Sequence, residues 1–229
     1  MPGSATMEAM EGDAREEWAN LSPPWREAFE LAWESFVAGS PPVGAVVVGP
    51  DGSIVTRGRS RRAELYAPTG QLAGSWLSHA EVNALAQLPV ASDPDLVLLV
   101  TLEPCFLCVA ATAMSHVGAL CFAGADPMWR FLNRLQEFHP VLAERWFKLD
   151  GPMPGPFGLG ASLLALLERC ARNPIGVRVD AFREEAGELL GFANELVVSG
   201  RADTLRHLTV TDALVDVWPD LPGLDRSTP

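Results

Sequence analysis

The chain has 229 residues, 48% of them hydrophobic and 20% charged, with a formal net charge of −12. That length allows one ample core plus an appendage, and the composition is that of an ordinary soluble globular protein. The acidity argues against a protein whose main task is gripping phosphate backbones, because that affinity comes largely from Lys and Arg. Lys148 is the single lysine and is not followed by Ser or Thr, which argues against Schiff-base chemistry and a P-loop.

Residues 1–17 are small and acidic with no apolar h-region, and 1–20 are expected to be a loose tail. Pro23-Pro24 followed by Trp25, Phe29, Ala32, Trp33 and Phe36 predicts a proline-started amphipathic helix. Pro41-Pro42 hands over to Val43–Val48, an apolar run suited to a buried strand, and Gly49–Gly52 turns into a returning strand over Ser53–Arg59. Ala63–Leu77 holds Pro, Thr and Gly without period and reads as a loop. His79–Leu88 reads as a helix, Leu96–Thr101 as a strand, Cys105 to about His116 as a helix and Gly118–Ala123 as a strand. Past Asp126-Pro127 the pattern turns helical: Met128–Phe147, Ala161–Arg172, Phe182–Val198 and Ala202–Val217, broken by the Gly151–Pro156 and Asn173-Pro174 stretches. The expected organisation is therefore a core over 21–127 and a mostly helical extension over 128–229 packed on it. No apolar stretch is long enough to span a bilayer. With the close Cys105/Cys108 pair reading as metal or redox rather than disulfide, a cytoplasmic protein is expected.

The chemistry concentrates in Ser78-His79-Ala80-Glu81-Val82-Asn83 and Thr101-Leu102-Glu103-Pro104-Cys105-Phe106-Leu107-Cys108. One imidazole and two thiolates can hold Zn²⁺ and leave the fourth tetrahedral position for water. Glu81, two residues past the histidine, is placed to move protons on and off that water. Helices starting near His79 and Cys105 would aim their N-termini at one point and stabilise negative charge there. The bland alternative is a closed zinc knot or a reduced C-x-x-C pair; a knot needs a fourth ligand, and His116 and Cys121 are the near candidates.

The H-x-E…P-C-x-x-C pattern resembles that of zinc nucleobase deaminases. Residues from about Pro24 to Pro127 resemble the cytidine-deaminase-like superfamily, in the branch holding tRNA adenosine deaminases, guanine deaminases and cytosine deaminases. The resemblance rests on the two motifs above, on Pro42–Val48 and on Gly124-Ala125-Asp126-Pro127. It implies an α/β fold, a three-layer arrangement with a central mixed five-stranded sheet and helices on both faces. It further implies zinc on His79, Cys105 and Cys108, Glu81 as the catalytic proton shuttle, and base contacts from the Ala80 N–H and the Pro104 carbonyl. A homodimer is expected on the same grounds.

Other residues divide between roles. Where relatives carry a substrate-binding asparagine after the second strand, this chain has Ser60, either a weaker substrate contact or an ordinary strand-end residue. Trp76 and Trp129 are candidate lids that stack on a base, or core-edge aromatics. Arg57, Arg59 and Arg61 alternate on one strand face and would suit either a phosphate or solvent. His139 and His207 read as surface residues, Cys121 and Cys170 as small core residues. The leading expectation is a hydrolytic deaminase of a free nucleobase, nucleoside or related aminated heterocycle. An aminopurine is favoured because Thr101–Pro104 and Gly124–Pro127 read most like the purine-acting relatives. A tRNA-specific adenosine deaminase is the alternative, disfavoured by the acidic C-terminal half, and a non-catalytic zinc-binding partner subunit is the third.

Overall fold

A computed structural model describes residues 13–90 and 93–221. Of the expected tail, 1–12 lie outside the described residues. The remainder, 13–20, is helical, because Trp18 has a seat: its ring lies 6.3 Å from Phe29 and 6.2 Å from Phe157. Helix α1, Pro23–Val37, begins on its two prolines and buries Ala28, Phe29, Ala32 and Phe36, the face its apolar spacing predicts.

Five strands follow: β1 Gly44–Val48, β2 Ile54–Arg59, β3 Val97–Leu102, β4 Ala119–Gly124 and β5 Lys148–Asp150. Their order is β2-β1-β3-β4-β5, with β1 antiparallel to β2 and β3, and β3, β4 and β5 parallel. This is the mixed sheet that the resemblance implies. Alternation along β1 sorts the two faces. Ala45 and Val47 pack with Leu98, Val100, Leu120 and Phe122 under helices α2 (Ala80–Leu85) and α3 (Phe106–Met114). Val46, Val48 and Leu99 pack against Ala28 of α1 on the other side.

Gly58 on β2 lets α2 lie directly on the sheet. A Cβ there would stand 2.3 Å from both the Ala80 carbonyl oxygen and the Ala84 nitrogen. Both are backbone atoms, so the helix itself would have to move. Gly58→Ala is expected to cost about 1–3 kcal/mol, the range for overpacking a tight site, read by urea unfolding. Metal binding at His79 should weaken with it, since His79 is the residue immediately before α2.

The extension departs from its predicted elements at both ends. Residues 128–147 do not form one helix. Two 3₁₀ turns, Pro127–Trp129 and Leu132–Glu137, precede a short α4, Pro140–Glu144, with Phe131 at φ 74° between the turns. The sheet also continues past 127, because β5 follows these turns. The remaining helices are α5 Pro156–Arg172, α6 Val177–Glu185, α7 Gly187–Val198, α8 Arg201–Leu205 and α9 Val210–Val217. Each of the last two predicted helices is thus split in two. Leu163, Leu166 and Leu167 of α5 form a buried cluster with Phe182, Leu189, Leu190 and Leu196, and Phe36 of α1 joins it. At Gly124, the end of β4, a Cβ would stand 2.7 Å from the Ser162 nitrogen. Helix α5 therefore sits hard against the sheet end where the site is built.

Candidate metal centre

His79 and Cys105 occupy equivalent places: each is the extended residue immediately before a helix, α2 and α3 respectively. The sheet sets both helices on one face, so their N-termini meet, and Cys108 enters from the first turn of α3. His79 Nδ1 lies 3.6 Å from Cys105 Sγ and 3.4 Å from Cys108 Sγ, and the two sulfurs are 3.5 Å apart. Tetrahedral zinc, with bonds of about 2.1 Å to nitrogen and about 2.3 Å to sulfur, requires N–S edges of about 3.6 Å and an S–S edge of about 3.8 Å. The donor set and its spacing fit Zn²⁺. Among the described residues no other His, Cys, Asp or Glu joins the group. Cys121 packs with Val46 and Leu99 on the opposite sheet face, so it supplies no fourth ligand.

Without metal the three side chains share protons unevenly. The hydrogen bond from Cys108 holds the Cys105 thiol down to about 4, with His79 assisting. Burial pushes Cys108 well up, while the hydrogen bond to Cys105 pushes His79 up. Glu81 is 4% exposed, and burial, reinforced by the nearby Cys105 charge, raises its pKa. A carboxyl raised in this way beside a metal centre is suited to taking a proton and giving it back.

The pocket over these residues is lined on the core side by Pro42, Ser60, Ala80, Glu81, Cys105 and Trp129, among others. Ser60 is buried, and Ala80 opens α2, so its N–H is one of the first-turn donors without an intrahelical acceptor. Pro104 is buried and lines an adjoining cavity that shares Glu103 and Trp129 with the pocket. Trp129 packs edge-on to Phe106 with ring centroids 5.8 Å apart. Trp76 is 74% exposed and does not line the pocket; the Arg62 guanidinium covers its ring at 4.1 Å.

The alternating arginines do not form a phosphate site. Arg57 pairs with Glu27 at 2.7 Å, Arg59 with Glu34 at 3.0 Å and with Glu64, and Arg61 with Glu64 at 2.7 Å. Glu27 and Glu34 come from α1 and Glu64 from the loop, so the stripe is neutralised by elements that a strand-face pattern does not show.

Two residues not singled out from the sequence build the surroundings. Asn83 is fully buried on α2: its amide donates to the Arg59 and Leu72 carbonyls and accepts from the Leu72 N–H at 2.7 Å. It thereby ties the 63–77 loop to β2. Arg169 of α5 forks onto Asp126 at 3.2 and 2.5 Å, and the Asp126 side chain is fully buried. Asp126 also donates its N–H to Glu103 at 2.9 Å, so the extension is bolted to the strand that carries the cysteine motif. Removing one member strands the other: Asp126→Ala should destabilise by about 3–5 kcal/mol, the cost of an uncompensated buried charge, measured by chemical denaturation. An effect under 1 kcal/mol, the range typical of exposed pairs, would show the pair to be solvated.

Residues 22–123 match the family model of the cytidine and deoxycytidylate deaminase zinc-binding region. Over this region, a little under half of the chain, the sequence is similar to the zinc-binding region of cytidine and deoxycytidylate deaminases. The deaminase-like region is similar to part of a tRNA(Ile)-lysidine synthase from Deinococcus radiodurans, at 35% identity over 124 residues, 52% of this chain. The chain spans about a fifth of that relative's length, 19%. It is also similar to a tRNA-specific adenosine deaminase from Streptococcus pyogenes, at 28% identity over 52% of this chain and 77% of the relative. Among solved structures, a guanine deaminase from Nitrosomonas europaea aligns at 20% identity with a TM-score of 0.47, covering 65% of this chain and 85% of that one. No helix among the described residues is long and apolar enough to cross a membrane.

Proposed function

We propose that the chain is a zinc-dependent hydrolytic deaminase of a nucleobase, nucleoside or related aminated heterocycle, releasing ammonia. The observation that carries this reading is the triad His79, Cys105 and Cys108 at 3.4–3.6 Å with the buried Glu81 beside it. His79, Cys105 and Cys108 would hold the zinc, which when bound would supply a water of pKa about 7 as the nucleophile. Glu81 takes one proton of the attacking water and delivers it to the ring nitrogen as the C–O bond forms, then takes the proton of the new hydroxyl and passes it to the amine as the C–N bond breaks. The products are a ring carbonyl and ammonia. The Ala80 N–H and the Pro104 carbonyl orient the base edge, Ser60 supplies one hydroxyl contact, and Trp129 closes the wall. Trp76 acts at one remove, by holding Arg62.

An aminopurine is the favoured ring. An ammonia-release screen over aminopurines, cytosines and pterins, with and without ribose and phosphate, tests this directly. Release from none of them, by protein carrying zinc, sinks the deaminase reading in favour of a zinc-holding partner subunit.

A second reading, a tRNA-specific adenosine deaminase, is favoured by the similarity to relatives of that name. Binding of an RNA stem-loop at two salt concentrations separates the readings. Neutralising phosphates with arginines gives a steep salt dependence, whereas a single small substrate gives a shallow one.

A further inference from the structure

The zinc pocket is not closed by the core alone. Helix α5 contributes Glu168 and Arg169 to its lining and α6 contributes Arg178, while Arg62 comes from the loop beyond β2. Arg172 lies beside them, next to Arg62 and Arg178 around the mouth. Four guanidiniums thus surround one opening in a chain with a net charge of −12. Two of them are neutralised: Arg169 by Asp126 at 2.5 Å and Arg172 by Glu168 at 2.7 Å. Glu103, deeper in, is engaged by the Asp126 N–H. Arg62 and Arg178 make no ion pair among the described residues. Each is instead set over an indole, Arg62 on Trp76 at 4.1 Å and Arg178 on Trp129 at 5.9 Å.

Stacking fixes a guanidinium in place while leaving its N–H donors free. Two cations held this way at one mouth repel each other unless an anion lies between them. Partial burial and the proximity of Arg172 and Arg178 push the Arg62 pKa down, against the opposing pull of Glu168, whose carboxylate is itself paired with Arg172. The same arginine lines one pocket with His79. An anion bridging Arg62 and Arg178 would therefore sit at the outer end of a molecule whose ring reaches the metal centre.

We propose that Arg62 and Arg178 form a phosphate subsite, so that the substrate is a mononucleotide rather than a free base or nucleoside. The inference rests on the pocket being the substrate site, and it narrows the substrate class. A phosphate carries nearly two charges and several acceptor oxygens, which suits two guanidiniums arriving from opposite walls. The two tryptophans then act as backing for the arginines, not as stacking platforms for a base. The subsite comes from the loop and the extension, so it gives residues 156–185 a part in recognition.

Calorimetric titration of zinc-loaded protein with adenosine, guanosine and cytidine and their 5′-monophosphates reads this without needing turnover. At least one monophosphate should bind about tenfold or more tightly than its nucleoside, the scale of one or two charge-assisted hydrogen bonds. Inorganic phosphate should compete. The double variant Arg62→Gln/Arg178→Gln should lose that margin while its zinc content is unchanged. Equal affinities for nucleosides and nucleotides, no binding of any nucleotide, or a margin that survives in the double variant would overturn the subsite. An RNA stem-loop that outcompetes every mononucleotide, with its advantage lost in the same variant, would overturn the small substrate and assign the arginines to an RNA backbone. A phosphate margin without ammonia release from any ligand would uphold the subsite and refute the deaminase reading.

Discussion

Glu81→Gln is expected to abolish ammonia release, by about 10²–10⁴-fold in kcat, the contribution of a positioned acid–base group, while metal analysis still finds one zinc per chain. Glutamine keeps the shape and accepts a hydrogen bond but cannot carry a proton between water, ring and leaving amine. Glu81 stands outside the His79, Cys105 and Cys108 group, so zinc retention is the prediction that separates shuttle from ligand. The substitution also removes a carboxyl that is buried against the ligands and whose charged form is disfavoured there. Global stability should therefore hold or rise slightly, since a neutral amide is easier to bury than a charge. Loss of zinc together with activity would make Glu81 part of the metal cage. Retained activity would end the shuttle assignment.

Much of this site is legible in the sequence because its chemistry depends on short local spacings. His79 and Glu81 lie within the first turn of one helix start and Cys105 and Cys108 within the first turn of another, so each half can be read without knowing the fold. The apolar runs of β1, β3 and β4 are equally plain, since strands buried on both faces need no alternation to be recognised. The missed features are those that depend on distant partners. β5 is only Lys148-Leu149-Asp150, too short and polar to register, and it exists as a strand because β4 offers it an edge. The helicity of residues 13–20 depends on Phe29 and Phe157, the second of which lies well over a hundred residues away.

The arginines illustrate the same limit. Arg57, Arg59 and Arg61 attract attention by their alternation but are satisfied by Glu27, Glu34 and Glu64. Arg62, their immediate neighbour, carries no pattern at all, and its position at the mouth follows from where α5 and α6 pack. Asn83 stood within the motif without a role, because a buried amide that serves a loop leaves no signal in spacing.

Cys108→Ser should reduce bound zinc to a small fraction of the native content and eliminate ammonia release with it. Serine's hydroxyl is a poor zinc ligand, and two remaining donors do not make a closed tetrahedral cage with room for one water. The fold should survive, since Cys108 is one small side chain in a core built by the sheet and α3. Native zinc binding should depend on pH with a definite sign. Cys105 is already a thiolate above about 4, whereas Cys108 is held protonated by burial and His79 is pushed toward its protonated form by Cys105. Metal entry must displace the protons on Cys108 and His79, so affinity should weaken as pH falls, by about tenfold per pH unit for each proton released. Zinc should in turn raise the unfolding free energy by about 4 kcal/mol at a thousandfold excess over its dissociation constant. Competition with a chromophoric chelator between pH 6 and pH 8 follows the slope. A flat profile would mean that the ligands are already deprotonated in the metal-free protein, and with it the proton distribution assigned to the triad would fail.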